Sequence, residues 1–461
     1  MKKLAIIVLA GGLGTRMKSL LPKVLHPLAG KPLLSYPVAI ARAIKAKPVL
    51  VVVPPRVRRI HEFVHEVGAT AIIQSRPLGT AHAVAATETK LKDFRGCVVI
   101  LSGDVPLLRI ETVTALIKSV EKKQATLGLT TMRLDDPGMY GRIVRDRDGE
   151  IVRIVEARDA SSEELNIREV NAGVYCVDKD WLFDALRRVK SDNAKQEYYL
   201  PDILSLAVAE GKGVTTFLTP DPDEVLGINT RVDLARVGRI LRRRINHGHM
   251  LRGVTIWDED DTSIDEGITI GEDTTILPTT FLVGKTKIGR NCLIEHGVSI
   301  KDTIIGDGVT IKAMSVVEGS RIAPGATIGP FARIRPESVI GAKVRVGNFV
   351  EIKKSVLCEG AKANHLTYLG DASVGKGTNV GCGTITCNYD GHAKHRTIIG
   401  EKVFVGSDVQ FVAPVRVGAG ATIGAGSTIT GNVPAKALAL ARAKQVVVKG
   451  WRPKWKRKKK G

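Results

Sequence analysis

Aliphatic residues recur at every sixth position through most of the second half of this chain. Ile270, Ile276, Leu282, Ile288, Ile294 and Ile300 run without a miss, and after a slip of one Ile305, Ile311 and Val317 continue. Ile322, Ile328, Ile334, Ile340, Val346 and Ile352 form another unbroken run, Val374 and Val380 resume it, and Val405, Phe411, Val417, Ile423 and Ile429 finish it. A helix repeats every 3.6 residues and a strand every two, so neither gives a period of six. A hexapeptide solenoid, the parallel β-helix, does: each step makes one face of a three-faced coil, and stacked coils bury a continuous core. The narrow shaft admits medium aliphatics, and only 4% of the chain is aromatic. Glycine often follows the aliphatic residue, as in Ile270-Gly271, Ile340-Gly341 and Val405-Gly406. That pairing predicts a positive φ at the turn between faces. Between Lys353 and Ser373 the period fails, which predicts a loop inserted in the solenoid around Asn364-His365-Leu366-Thr367-Tyr368. Insertions on solenoids carry function, so His365 is the candidate catalytic residue among ten histidines.

The first 230 residues read differently. Lys3 to Leu9, Pro48 to Val53 and Cys97 to Leu101 are predicted as buried strands, with helices over Lys31 to Ala46 and Thr80 to Leu91. That alternation predicts an α/β domain with a mostly parallel sheet. Leu234, Val237, Leu241 and Ile245 keep helical spacing and predict a linker helix from about Arg231 to His247. The expected organisation is 1–230, a nucleotide domain; 231–250, a linker helix; 251–450, the solenoid; and 451–461, a basic tail.

Charge excludes a general nucleic-acid surface. The formal net charge is +22, but Arg231 to Arg252 carries +6 of it and Trp451 to Gly461 carries +7. The rest of the 461-residue chain is only mildly basic, so the charge is local to the helix and the tail. The tail is read as a solvated basic end, with no nucleic-acid partner. No apolar run approaches the roughly 18 residues of a membrane span, and no leader is expected from the short run Leu4 to Ala10. Six cysteines without a C-x-x-C pair fit a reducing, cytoplasmic setting and no zinc site.

Two motifs in the first half carry chemistry. Leu9-Ala10-Gly11-Gly12-Leu13-Gly14-Thr15-Arg16-Met17 follows a strand but is neither a G-x-G-x-x-G nor a Walker loop. It is a glycine turn that exposes backbone N–H groups to a phosphate or base, or simply a tight turn. Arg16 and Lys23 lie just beyond it, placed to clamp a polyphosphate. Ser102-Gly103-Asp104 ends a strand, where ligands of parallel sheets collect. A carboxylate there suits Mg²⁺, or caps the next helix.

At this point the chain resembles the bacterial bifunctional N-acetylglucosamine-1-phosphate uridylyltransferase/glucosamine-1-phosphate N-acetyltransferase family from Leu4 to about Trp451. The resemblance rests on Leu9 to Met17, Pro22 to His26, Gly79 to Ala83, Gly103 to Pro106 and Tyr140 to Ile143. In the solenoid it rests on Gly329 to Pro336, Gly347 to Glu351, His365 to Asp371 and Gly383 to Gly391. It implies a Rossmann-like α/β nucleotidyltransferase domain followed by a left-handed parallel β-helix, an exception to the right-handed crossover rule. It also implies a homotrimer with acetyltransferase sites between β-helices. The product would be UDP-N-acetylglucosamine for cell-envelope synthesis, made from glucosamine 1-phosphate, acetyl-CoA and UTP through N-acetylglucosamine 1-phosphate. The bland alternatives are a nucleotidyltransferase whose solenoid is only a scaffold, and a non-catalytic protein binding polyanions through its basic elements.

Carried over position by position, the resemblance assigns uridine to Leu9, Ala10, Gly11, Gly12, Gln74, Gly79 and Thr80, with Ser102 and Gly103 beside them. Arg16 and Lys23 would neutralise phosphate, Asp104 and Asn229 would hold Mg²⁺, and Gly141, Glu156 and Asn171 would hold the amino sugar. In the solenoid Arg335 and Lys353 would grip the sugar phosphate, Tyr368 and Asn379 the sugar, and His365 would act as general base. Cys382, Asn388, Tyr389, Ser407, Ala425 and Arg442 would contact acetyl-CoA. Separately from the resemblance, the charge of the basic tail suggests an attraction for the cofactor's phosphates. Three positions depart from the family pattern. Gly11 replaces an alanine, Ser102 a tyrosine and Cys382 an alanine.

Overall fold

The computed structural model describes residues 3–12, 14–193, 196–453 and 455. Of the tail, then, residues 454 and 456–461 lie outside the described residues. The chain forms two compact units, Met1–Leu241 and Arg242–Gly461.

In the first unit nine strands form one sheet: β1 (Leu4–Leu9), β2 (Val49–Val53), β3 (Thr70–Ile73), β4 (Cys97–Ser102), β5 (Leu127–Arg133), β6 (Arg142–Arg145), β7 (Ile151–Val155), β8 (Glu169–Asp178) and β9 (Val214–Leu218). The spatial order is β9-β5-β8-β4-β1-β2-β3, with β6 and β7 branching from β8. Strands β4, β1, β2 and β3 are mutually parallel, whereas β8 runs antiparallel to β4 and β5. The central strands are buried on both faces, which is why they read as unbroken apolar runs. Ile6, Val8, Val51, Val99 and Leu101 pack on one face, and Ala5, Ile7, Val52, Val98 and Ile100 on the other. The predicted helix at Lys31 to Ala46 is shorter, Ser35–Ala43, because Lys31–Pro32 pairs with Pro27–Leu28 in a small hairpin. The stretch Thr80 to Leu91 holds two short helices, Thr80–Ala85 and Glu88–Leu91.

The arginine-rich helix spans Arg231–Met250. Thr230 and Asp233 cap it reciprocally: the Asp233 carboxylate accepts from the Thr230 N–H at 2.8 Å, and the Thr230 hydroxyl accepts from the Asp233 N–H at 3.1 Å.

The second unit is a parallel β-helix, consistent with the expected left-handed coil. Short strands stack coil upon coil, as Thr275 and Ile276 on Leu293 and Ile294, and these on Thr310 and Ile311. The six-spaced aliphatics form the shaft: Ile276, Ile300, Ile311, Ile334 and Ile340 have no exposed surface.

Two expectations about this unit are corrected. The glycine after the aliphatic residue generally serves close approach rather than a positive φ. A Cβ on Gly341 would lie 2.7 Å from the Leu357 carbonyl oxygen of the next coil, and one on Gly406 2.5 Å from the Ala425 nitrogen. The left-handed positions fall instead on residues such as Asn291, Met314 and Phe331. Second, His365 does not sit in an inserted loop. Lys362–Gly370 is a strand paired in parallel with Arg345–Lys353, and Leu357, Ala363 and Leu369 continue the buried shaft. The period was hidden by another slip and by an alanine at 363. The segment that does depart from the coil is Asn388 to His395, which folds back on itself through a Tyr389–Lys394 bridge.

Candidate active sites

The first site lies at the carboxyl ends of β1 and β4. The Gly103 N–H donates to the Leu9 carbonyl at 2.9 Å, locking the glycine turn beside Asp104. Gly14 has φ 65°, and a Cβ there would lie 2.6 Å from the Lys23 Cβ. The turn therefore packs directly on Lys23. The Lys23 ammonium is ion paired with Asp104 and donates to the Asn229 amide oxygen at 3.2 Å. Arg16 donates to the same oxygen at 2.9 Å. Asn229 is held from behind, because its N–H donates to the Asp233 carboxylate of the helix cap at 3.0 Å. Asp104 is tied to the same segment through its carbonyl, which accepts from the Ile228 N–H at 2.9 Å. Two cations and two oxygen ligands, from four separate places in the sequence, thus meet at one point.

Two cavities flank that point. One, of about 290 Å³, is lined by Leu9, Ala10, Gly11, Gly12, Lys23, Gln74, Gly79, Thr80, Ser102 and Asp104. Gln74 donates to the Gly79 carbonyl at 3.1 Å, and Thr80 accepts from the Leu200 N–H at 2.9 Å. The other, of about 490 Å³, is lined by Arg16, Ser102, Asp104, Gly141, Glu156, Asn171 and Asn229 among others. The Gly141 carbonyl accepts from the Asn171 N–H at 2.8 Å, and a Cβ on Gly141 would lie 2.9 Å from Ile154. Asn171 also donates to the buried Tyr175 hydroxyl at 2.6 Å. Ser102 lines both cavities.

Asp104 and Asn229 converge on a single cation, here the Lys23 ammonium. Two oxygen donors beside two cationic side chains suit Mg²⁺, which keeps most of its waters and borrows substrate oxygens. Among the described residues no cluster of three His, Cys, Asp or Glu could hold a metal by itself.

In the β-helix the candidate residues fall into two groups. His365, Cys382, Ser407, Ala425 and Arg442 follow one another at successive coils along one edge. The backbone ladder shows it: Gly383 N–H donates to Leu366, Asp408 to Cys382 and Gly426 to Ser407 at 2.7–3.0 Å, and the Arg442 guanidinium reaches the Ala425 carbonyl at 2.8 Å. Arg335 is paired with Glu351 at 2.9 Å, and Lys353 lies opposite Gly370 in the paired strands. Tyr368 lies opposite Glu351 in the same pairing, and Asn379 opposite Lys362 in the next. Asn388 is buried and donates to Asp371 at 2.6 Å, whereas Tyr389 is exposed, its hydroxyl bonded to the Gly391 carbonyl at 2.7 Å. Lys353 and His365 are thus not neighbours along this surface. The Asn348–His365 and Lys353–Gly370 pairs are five residues apart on the same two strands, up to about 16 Å at 3.3 Å per residue.

Lys394 is a residue that sequence reasoning missed. Its amine beside Lys353, together with burial, holds the Lys353 ammonium below the usual lysine range. With Arg335 the pair makes a positive patch, and no motif announces it, because the fold-back of Asn388 to His395 alone brings Lys394 there. Asn348 is the second such residue, with its amide oxygen 2.9 Å from the His365 Nδ1. It stands in the motif Gly347 to Glu351, which assigns it no role.

Comparison with known proteins shows the family of the chain. The profile of the MobA-like NTP transferase domain matches residues 6–147, and that of the GMPPB C-terminal domain matches 260–346 and 320–417. The chain is 49% identical over 459 residues to a bifunctional protein GlmU of Pelobacter propionicus, covering 99% of this chain and all of the relative. It is 49% identical over 470 residues to that of Geobacter sulfurreducens and 50% over 452 residues to that of an Anaeromyxobacter species, with at least 92% of every chain covered. The chain belongs to the GlmU family. That is the uridylyltransferase/N-acetyltransferase family whose motifs the sequence carries, so this GlmU-family chain is a bifunctional enzyme of UDP-N-acetylglucosamine synthesis. Among the described residues no helix is long and apolar enough to cross a membrane. All six cysteines are free thiols.

Proposed function

We propose that the two reactions are divided between the two units, with the residues named above in the roles their family positions imply. The observation that carries the first half is the convergence of Arg16, Lys23, Asp104 and Asn229 between two cavities. UTP fits the glycine-lined cavity and the sugar 1-phosphate the larger one. An oxygen of the sugar phosphate attacks the α-phosphorus in line, the α–β bond breaks and pyrophosphate leaves. Arg16 and Lys23 neutralise the charge gathered there, and the two cavities hold the reactants in line; positioning and charge carry such a transfer. Asp104 and Asn229 would hold Mg²⁺, which when bound supplies further charge neutralisation at the phosphates.

In the β-helix, Arg335, Lys353 and Lys394 fit the phosphate of glucosamine 1-phosphate, with Tyr368 and Asn379 toward its ring. The edge from Cys382 to Arg442, with Asn388 and Tyr389, fits acetyl-CoA. The 2-amine attacks the thioester carbonyl, the C–S bond breaks, CoA leaves as thiolate, and His365 takes the amine proton. General-base help of this kind is worth on the order of 10²–10⁴.

The distance along one chain between the Lys353 group and His365 favours a site completed by another copy, and a homotrimer supplies it. Met314, Phe331, Phe349 and Leu366 support association: each is about half exposed and left-handed in φ, and Phe331 stacks on Phe349 at 5.4 Å. Free thiols and the substrates fit the cytoplasm.

The test follows free CoA thiol and pyrophosphate separately with glucosamine 1-phosphate, acetyl-CoA, UTP and Mg²⁺. Pyrophosphate should appear only after thiol unless N-acetylglucosamine 1-phosphate is supplied. Pyrophosphate without thiol would reduce the β-helix to a scaffold.

A further inference from the structure

The strands Arg345–Lys353 and Lys362–Gly370 run in register, with Asn348 directly opposite His365. Both residues occupy the same corner of successive coils, because each precedes a left-handed residue, Phe349 at φ 56° and Leu366 at φ 44°. The corner is tight. A Cβ on Gly347 would lie 1.8 Å from the Asn364 carbonyl oxygen, so only glycine lets the coils come this close. The approach brings the Asn348 Oδ1 to 2.9 Å from the His365 Nδ1. On the other side the His365 carbonyl is fixed by the Thr367 hydroxyl at 2.7 Å. Among the described residues Asn348 is the hydrogen-bond partner of the imidazole, which is otherwise open to solvent.

We infer that Asn348 is a positioning residue for acetyl transfer: its amide oxygen holds the proton on His365 Nδ1 and leaves the Nε2 lone pair facing the substrate amine. An amide oxygen only accepts, so Nδ1 must donate, and the tautomer and ring angle are set together. This rests on the reading of His365 as the base. The other charged and ionisable groups on the packed coils include Arg345, Glu351, Lys353, Lys362, Tyr368, Cys382 and Asp408; the Glu351 carboxylate is paired with Arg335. Asn348 is uncharged, whereas a carboxylate in the same place would favour the protonated imidazole.

Two variants of the full chain test this. Asn348→Leu keeps the size but removes the acceptor, and should lower kcat of acetyl transfer at least tenfold, a share of the 10²–10⁴ of base catalysis, with both KM values within about twofold. Asn348→Asp also only accepts, so it should recover most of that loss at its optimum. It should also move the acid limb of the pH–rate profile to higher pH, because the base then protonates more readily. The inference is overturned if Asn348→Leu keeps wild-type kcat, or if a substrate KM rises with the loss, which would mark a substrate contact. It is overturned equally if Asn348→Asp fails alongside with an unmoved acid limb, which would mark a structural role. His365→Ala is run in parallel. Retained acetyl transfer in that variant would sink the reading of His365 itself, a result distinct from any of these.

Discussion

The Lys23 ammonium is ion paired with Asp104 at the point where the Asp104 carboxylate and the Asn229 amide oxygen converge. A divalent cation held by these two oxygens would compete with the lysine for them. Lys23 would then turn toward phosphate. Lys23→Gln should lower the Mg²⁺ concentration giving half-maximal pyrophosphate release, while lowering kcat by about 10²-fold as phosphate neutralisation is lost. A titration of Mg²⁺ against initial rate separates the two effects, and an unchanged half-maximal concentration would argue against the competition.

Asp104→Asn leaves the geometry but removes the charge that pairs with Lys23 and that would hold Mg²⁺. Uridylyl transfer should fall by about 10²–10³, the usual cost of losing one well-placed electrostatic group. Thiol release by the β-helix should stay at the wild-type rate in the same assay.

Gly347 is where two coils approach closely beside His365, the proposed base. Gly347→Ala forces the Asn364 backbone to move, and overpacking of this kind costs about 1–3 kcal/mol. Acetyl transfer should collapse and the β-helix should melt at a lower temperature, with uridylyl transfer spared. A variant with normal acetyl transfer would show that the corner is not tight in solution.

His249, buried in the last turn of the long helix beside Arg252, has its pKa lowered to about 4 by burial and by that guanidinium. Its folded pKa lies below the unfolded value near 6.5, so the unfolded chain binds more protons between the two. Stability of the second unit should therefore fall as pH drops from about 6.5 toward 4. His249→Gln should flatten that part of the melting-temperature profile.

Legibility of the sequence followed the physics of each element. The shaft aliphatics announced the β-helix because a narrow core repeats its demand at every coil. Where an alanine at 363 and slips in phase break the pattern, the strand bearing His365 reads as a loop. The glycines were visible, but their purpose was not: a close backbone approach and a positive φ look alike in sequence. Arg16, Lys23 and Asp104 could be singled out because they follow strand ends. Asn229 and Lys394 depend on distant segments folding back, and no local pattern records that.

The central claim is that one chain carries two separable sites joined by a free intermediate. His365→Ala and Asp104→Asn, purified separately, should each fail to make UDP-N-acetylglucosamine from glucosamine 1-phosphate, acetyl-CoA and UTP. Mixed in one tube, they should restore its synthesis, because N-acetylglucosamine 1-phosphate made by one variant diffuses to the other. A mixture that stays inactive, or a single substitution that abolishes both thiol and pyrophosphate release when each reaction is given its own substrates, would contradict the account.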